Sequence, residues 1–113
     1  MPVADLSQSD QQVLRWCVGF ILRGGRFDLE QAMVRLGVSG AELAGMEREW
    51  PPDDRVEDGR AFVAINNVLN EVCHGPDRPS EQEWDCAGVT RDRVLALYQC
   101  WAESHGLKWT GVR

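Results

Sequence analysis

The sequence contains no long hydrophobic run, and Lys108 is its single lysine. No apolar stretch approaches the roughly 18 residues that a membrane-spanning helix requires, so we expect no transmembrane segment and no membrane partner. The first ten residues, MPVADLSQSD, carry no basic side chain, so we also expect no secretory signal and a cytoplasmic protein. Eleven arginines against one lysine favour a GC-rich genome, and we expect a bacterial or phage origin.

Cysteine pairs with the spacing of a metal or redox motif are also missing. The four cysteines lie at positions 17, 73, 86 and 100, and none forms a CxxC pair. Such cysteines in a cytoplasmic protein are usually reduced, and many are core residues. The alternative is a zinc site formed from Cys73, Cys86, Cys100, His74 and His105, although their spacing matches no familiar zinc module. We expect neither a metal nor a cofactor.

The motifs that mark enzymes are absent from the sequence. It has no nucleophile–base pair, no glycine-rich phosphate loop and no paired-histidine motif. Asp53, Asp54, Glu57 and Asp58 form the densest acidic cluster, but they lack the spacing of a calcium-binding loop. We therefore expect a solvated acidic face in a protein that is not an enzyme.

The length and composition of the chain are those of a packed domain. A chain of 113 residues buries roughly 65% of the surface that its unfolded form exposes. Hydrophobic residues make up 43% of the chain, and five of them are tryptophans. The net charge is −6. Because binding to a phosphate backbone depends on Lys and Arg, this charge disfavours DNA as a direct partner.

Capping residues and apolar periodicity divide the chain into six short helices, and strand signals are absent. The predicted helices cover about 10–23, 29–36, 40–50, 57–73, 81–87 and 91–103. Capping boxes that begin at Ser9, Ser39 and Ser80 predict where three of them start. In the fourth helix, Asn66 falls on the polar face. The first helix has a very wide apolar arc, so we expect other parts of the chain to cover it on two sides.

A shift of 51 residues aligns the two halves of the chain without a gap. Gly37-Val38-Ser39 falls on Gly88-Val89-Thr90, and Trp50 falls on Trp101. This fixed period is typical of an internal duplication that yields two tri-helical, helix-turn-helix-like units. The single globular domain, 1–113, then comprises a first unit at about 9–50, a linker at 51–58, a second unit at about 59–104 and a tail at 105–113. The alternative is that two unrelated helical hairpins with similar turns align by chance.

The segment 32–39, AMVRLGVS, followed by Leu43 and Met46, resembles the helix-turn-helix motif of bacterial and phage DNA-binding regulators. The resemblance implies that the third helix, or the sixth, enters the major groove. In the third helix, only Ser39 and Arg48 could bind a base or phosphate there. The sixth helix is better equipped. The candidate DNA contacts in this half are Arg78, Thr90, Arg91, Arg93 and Gln99.

The third helix instead carries a strip of small residues: Gly40, Ala41, Ala44 and Gly45. Small residues on one face let another helix approach closely, and glycine inside a helix otherwise lowers stability. The strip therefore predicts a contact, either with the other half of the chain or with another protein. Trp16, at the border of the apolar arc, and Trp109, in the tail, are further candidates for partner contacts.

Two functional hypotheses follow from the sequence. The favoured one is a small acidic regulatory or inhibitory protein that acts by binding another protein. That partner is a second copy of the chain or a nucleic-acid-binding protein, because an acidic surface imitates nucleic acid. The alternative is a helix-turn-helix transcriptional regulator that binds DNA through the sixth helix.

Overall fold

Every regular element in the described part of the chain is helical. The computed structural model describes residues 2–25, 27–55 and 59–106. The six α-helices are α1 (Gln8–Arg23), α2 (Ala32–Leu36), α3 (Gly40–Arg48), α4 (Arg60–His74), α5 (Glu81–Ala87) and α6 (Arg91–Ser104). The 3-10 turns Val3–Asp5 and Leu29–Gln31 precede α1 and α2. The predicted all-α fold of six short helices is confirmed. None of the helices in these ranges combines the length and apolar character needed to cross a membrane.

Two of the predicted capping boxes are present in the structure. The Ser39 hydroxyl accepts a hydrogen bond from the Glu42 amide, and the Glu42 carboxylate accepts one from the Ser39 amide. Ser80 and Glu83 make the same pair of bonds at the start of α5. Each box satisfies amide groups that the first turn of a helix leaves without a partner. These starts are therefore set by residues three positions apart in the sequence.

The predicted start of α1 at Ser9 is wrong. The N-cap is Ser7, whose hydroxyl accepts a hydrogen bond from the Asp10 amide. The chain enters the helix two residues early because Leu6 is buried and the Gln11 side chain binds back over it. The Gln11 amide nitrogen donates to the carbonyl oxygens of Ala4 at 3.2 Å and of Leu6 at 3.1 Å. These bonds hold the preceding 3-10 turn against the helix.

In the described residues between α3 and α4, Pro52 and Asp54 are buried in the protein. Helix α3 ends at Arg48, short of the predicted Trp50, because Pro51 disfavours helical geometry in the residue before it. Asp54 is fully buried, so the predicted solvated acidic face is wrong at this residue. Asp53 is exposed as predicted. Glu57 and Asp58 lie outside the described residues.

Helices α1 and α4 lie at the centre of the structure. Helix α1 packs against α3, α4 and α6, and α4 packs against α1, α2 and α6. The wide apolar arc of α1 is thus covered on two sides, as the sequence predicted. The prediction that Asn66 lies on a polar face of α4 is wrong, because Asn66 is buried. Its side-chain oxygen accepts a 2.8 Å hydrogen bond from the Tyr98 hydroxyl, which satisfies it inside the core.

The two halves of the chain share their order of helices and the geometry of their turns. Helices α3 and α6 begin 51 residues apart, at Gly40 and Arg91. The glycines before them, Gly37 and Gly88, both have positive φ angles, 78° and 68°. The contacts between the halves are reciprocal, because α2 packs on α4 while Trp84 of α5 packs on α1. The origin of this similarity in a duplication stays a prediction.

Candidate functional site

The hairpin formed by α2 and α3 presents large apolar side chains to solvent. Leu29 is 37% exposed, Met33 is 50% exposed and Val34 is 88% exposed. Gly40 lies against Leu29, since a Cβ atom at Gly40 would be 3.3 Å from the Leu29 Cβ. Ala41 is exposed beside it. We refer to these five residues as the apolar hairpin face.

The short α2 helix explains why these side chains point outward. Ala32 and Leu36 are fully buried, and they lie four residues apart on one side of the helix. Val34 lies on the opposite side of the helix and is almost fully exposed, whereas Met33 lies at the border between the two sides and is half exposed. Because α2 has only five residues, it has room for one inward pair. The remaining apolar residues are left to solvent.

Arg35 fixes α2 to the rest of the protein. Its guanidinium binds the Glu71 carboxylate at 2.6 Å and the Asp77 carboxylate at 2.9 Å. The same group lies 4.0 Å over the ring of Phe27, in a cation–π contact. The hydrogen bond to Glu71, followed by that to Asp77, raises the pKa of Arg35. The single basic side chain of α2 is therefore engaged within the fold.

The second hairpin, α5 and α6, presents different chemistry at the corresponding positions. Asp85 stands where the first hairpin has Val34, and Asp92 stands where it has Ala41. All four of these residues are exposed. A hairpin of this local geometry therefore accepts carboxylates at these positions. Folding of the hairpin alone does not require apolar residues there.

At Gly45, the small-residue strip on α3 does not form a close contact with the second half of the chain. Within 4 Å, a Cβ atom at Gly45 would meet only the end of the Arg48 side chain, at 3.6 Å. Ala44 is half-buried. Gly45 opens instead into a groove of about 520 Å³ between α3, the Pro51-Pro52 segment and the start of α4. The groove is lined by Val38, Glu42, Gly45, Met46, Glu49, Pro51, Pro52, Asp53, Arg60 and Ala61.

Trp16 is a contact within the protein. Its ring centroid lies 5.3 Å from that of Trp84 and 5.7 Å from that of Phe20. The stack joins α1 to α5, and Trp16 is half-buried in it. The other tryptophan that the sequence suggested as a partner contact, Trp109, lies outside the described residues.

Three of the five candidate DNA contacts make bonds within or between helices. Arg93 forms an ion pair with Asp10 of α1. The Gln99 side-chain amide donates to the Glu103 carboxylate at 3.1 Å, one turn further along α6. The Thr90 hydroxyl caps α6 by accepting a hydrogen bond from the Arg93 amide. Each of these groups already has a structural partner.

Arg78 and Arg91 are also engaged within the protein. The Arg78 guanidinium donates to the Gly75 carbonyl at 3.1 Å, and the Arg91 Nε donates to the Cys73 carbonyl at 2.8 Å. A second Arg91 nitrogen lies 3.2 Å from Nδ1 of His74. Burial, then the charges of Arg91 and Arg78, lowers the pKa of His74, so its neutral Nδ1 can accept that bond.

The cleft that brings Arg78, Thr90 and Arg91 together has a volume of about 560 Å³. It lies between α5 and α6. Its lining also includes Glu81, Asp85 and Asp92. Carboxylates interspersed with the arginines repel a phosphate backbone, so the cleft lacks the basic surface that binding to DNA requires.

The proposed zinc ligands are dispersed. Cys73 is buried, Cys86 and Cys100 are exposed on α5 and α6, and His105 binds Asp54. Among the residues that the structure describes, no three histidine, cysteine or carboxylate side chains come together as a metal site would require. Burial raises the pKa of Cys73 to about 11. This thiol is therefore protonated near neutral pH and is a poor metal ligand or nucleophile.

Leu29, Met33 and Val34 were not predicted from the sequence to be site residues. A usable signal was present, because Ala32 and Leu36 already account for the inward side of so short a helix. The neighbouring strip was predicted from its glycines and alanines, and two of its residues, Gly40 and Ala41, belong to the apolar hairpin face. The apolar hairpin face was thus predicted at α3 and missed at α2.

Compared with known proteins, the chain matches no family model, no curated protein and no solved structure.

Proposed function

We propose that the protein is a small acidic regulatory or inhibitory protein that acts by binding another protein through the apolar hairpin face. The observation that carries this proposal is the exposure of Val34 and Met33 on α2, together with that of Leu29 in the preceding 3-10 turn. Full burial of a valine, leucine or methionine side chain contributes about 1.5–3 kcal/mol. The gain on binding is largest for Val34, which is the most exposed of the three, and smaller for Met33 and Leu29, which are already partly buried.

The proposal is also supported by the second hairpin. Its carboxylates Asp85 and Asp92 correspond to Val34 and Ala41 of the first hairpin, which supports a role for the apolar character of these two positions outside local folding. Isolated exposed apolar residues are common on protein surfaces. A group of them on one hairpin is typical of interaction sites.

A double substitution on the face tests the proposal. The tagged protein is purified from its source cells, and the amount of each co-purified protein is measured. We expect Met33→Lys with Val34→Lys to lower the recovery of a specific partner by about tenfold or more, because charges replace its apolar anchors. The matched control is Gln82→Lys with Ala96→Lys, which adds the same charge at exposed positions of the second half. Equal recovery with both double variants contradicts the proposal.

The alternative function, a DNA-binding regulator that uses α6, has weaker support because all five candidate contacts are bound within the fold. Fluorescence anisotropy with random duplex DNA at low salt decides it. We expect no binding at protein concentrations on the order of 10 µM. Binding that weakens steeply with salt, and with Arg91→Ala plus Arg93→Ala, would establish the regulator and overturn the protein-binding proposal.

A further inference from the structure

Helix α3 lies between two apolar surfaces. On one side Gly40 contacts Leu29 of the apolar hairpin face, and on the other Gly45 opens into the groove beside Pro52. Ala41 is exposed between them. Because α3 has only the small residues Gly40, Ala41 and Gly45 here, no large side chain at these positions separates the two surfaces, and we refer to the joined surface as the depression.

Acidic residues outnumber basic ones around this depression. Residues 27–55 contain six carboxylates, besides the buried Asp54, and three arginines, and Arg60 also lines the groove. Asp28 and Glu30 are exposed beside Leu29, while Glu49 and Asp53 are exposed at the groove. A hydrogen bond from the exposed Arg55 lowers the pKa of Asp53 to about 2, so Asp53 stays ionised at neutral pH.

The basic side chains nearby do not reverse this charge. Arg35 is bound to Glu71 and Asp77, and Arg60 at the edge of the groove is paired with Glu42 at 2.8 Å. Arg48 is exposed, and its guanidinium reaches back towards Gly45. Asp53 and Glu47 are likewise paired, with Arg55 and Arg23. Among the described residues, the carboxylates around the apolar centre that form no ion pair are Asp28, Glu30 and Glu49, and they outnumber the exposed Arg48. Such a surface attracts a partner that combines apolar and basic groups.

We propose that the apolar hairpin face and the adjoining groove bind a basic amphipathic helix of the partner protein. This inference rests on the proposed function and specifies the class of partner segment. An amphipathic helix presents apolar residues at i, i+3, i+4 and i+7, which enter a groove while its charged side chains contact the rim. Here the apolar residues cover Met33, Ala41 and Gly45, and lysine or arginine side chains face Glu30 and Glu49.

A second copy of the chain is a poorer occupant of this surface. Each copy carries a net charge of −6, so pairing the same acidic surface with itself brings like charges together. Like charges across an interface oppose association and select against that partner. The basic helix is favoured by the same charge that disfavours the dimer.

The inference is tested with synthetic peptides of about 18 residues, long enough for several helical turns. The first peptide has leucine and lysine in amphipathic order, the second has glutamate in place of lysine, and the third has the first composition in scrambled order. Fluorescence anisotropy is measured at about 0.15 M salt, where distant surface charges are screened. We expect the first peptide to bind at least about tenfold more tightly than the other two.

Two variants locate the binding on the surface. Ala41→Arg places a bulky positive charge in the depression, and Ala96→Arg makes the same change at an exposed position of α6. We expect the first to weaken binding of the basic peptide by about tenfold and the second to leave it within about twofold. Equal binding of all three peptides, or equal effects of the two variants, contradicts the inference.

The peptide result is separate from the test of the proposed function. If Met33→Lys with Val34→Lys abolishes co-purification of a partner while no basic peptide binds, protein binding stands and the basic-helix inference is wrong. If co-purification is unaffected, the proposed function is wrong. In that case, peptide binding that Ala41→Arg removes still identifies a surface for basic helices.

Discussion

The Asp54 carboxylate connects three parts of the chain that are far apart in sequence. It accepts hydrogen bonds from the Val3 amide at 2.8 Å and from the Trp101 indole at 2.7 Å. The ring of His105 lies 3.0 Å from it. A buried carboxylate is tolerated only when such bonds replace its hydration. The segment after α3 therefore joins the N-terminal 3-10 turn to the end of α6.

Asp54→Ala tests this connection. The substitution leaves the buried indole and amide donors without an acceptor, and we expect the free energy of unfolding to fall by about 3 kcal/mol. Urea denaturation followed by tryptophan fluorescence measures the change. Asp53→Ala is the control, because Asp53 is exposed and its ion pair is with the exposed Arg55. A similar midpoint for the two variants would show that Asp54 has no special structural role.

At the scale of elements, the two hairpin turns have the same backbone geometry and different surroundings. Gly37 and Gly88 both have positive φ angles, which a side chain disfavours by about 1 kcal/mol. A Cβ atom at Gly37 would also lie 2.8 Å from Val63 of α4, whereas one at Gly88 would meet nothing within 4 Å. The first turn is therefore packed against the core, and the second is open.

Alanine substitution distinguishes the two turns. We expect Gly88→Ala to lower the free energy of unfolding by about 1 kcal/mol, through backbone strain alone. Gly37→Ala should lower it by about 2–3 kcal/mol, because the new methyl group also displaces Val63. Thermal and urea denaturation of both variants measure the difference. Equal losses, or a larger loss at Gly88, contradict the packing of α2 against α4.

The ion pair between α1 and α3 makes their contact sensitive to pH. Arg23 binds both carboxylate oxygens of Glu47, at 2.7 Å and 2.6 Å. The hydrogen bond from Arg23 lowers the pKa of Glu47 below its ordinary value of 4.5. Because folding lowers this pKa, the stabilisation is fully present above the ordinary value and is lost as the pH falls through the folded-state value.

Glu47→Gln should therefore lower the melting temperature at pH 7 and have a progressively smaller effect towards about pH 3. Circular dichroism melts at several pH values measure the difference from the wild type. Glu49→Gln, an exposed neighbour, serves as the control and should show no such trend. A difference for Glu47→Gln that stays constant down to low pH contradicts the ion pair as its cause.

At the scale of the whole molecule, local signals in the sequence predicted the helices. Contacts between residues far apart in the sequence determine which polar side chains are buried. The Ser39 and Ser80 caps depend on residues three positions away, so the sequence shows them directly. The burial of Asp54 depends on Trp101, 47 residues further on, and that of Asn66 depends on Tyr98, 32 residues further on. The apolar periodicity of a single helix does not indicate such partners, because the packing of separate helices brings them together.

The candidate site also has a part that the local sequence predicts and a part that depends on distant contacts. Gly40 and Ala41 were found from the sequence because small residues inside a helix are unusual. The exposure of Val34 depends on how α2 is held against α4 by Arg35, which joins it to Glu71. The two halves of the molecule have the same order of helices and present different surfaces. The first hairpin is apolar where the second, at Asp85, is acidic.

Site-specific photo-crosslinking in cells detects whether the apolar hairpin face binds another protein. A benzophenone amino acid is placed at position 34, or at the corresponding exposed position 85, and each protein is irradiated in its source cells. We predict a discrete crosslinked protein species from position 34, in place of Val34, and none of comparable yield from position 85, in place of Asp85. Two results would contradict protein binding at this face. One is equal crosslinking from both positions, and the other is no crosslinking from either position in a protein that binds duplex DNA.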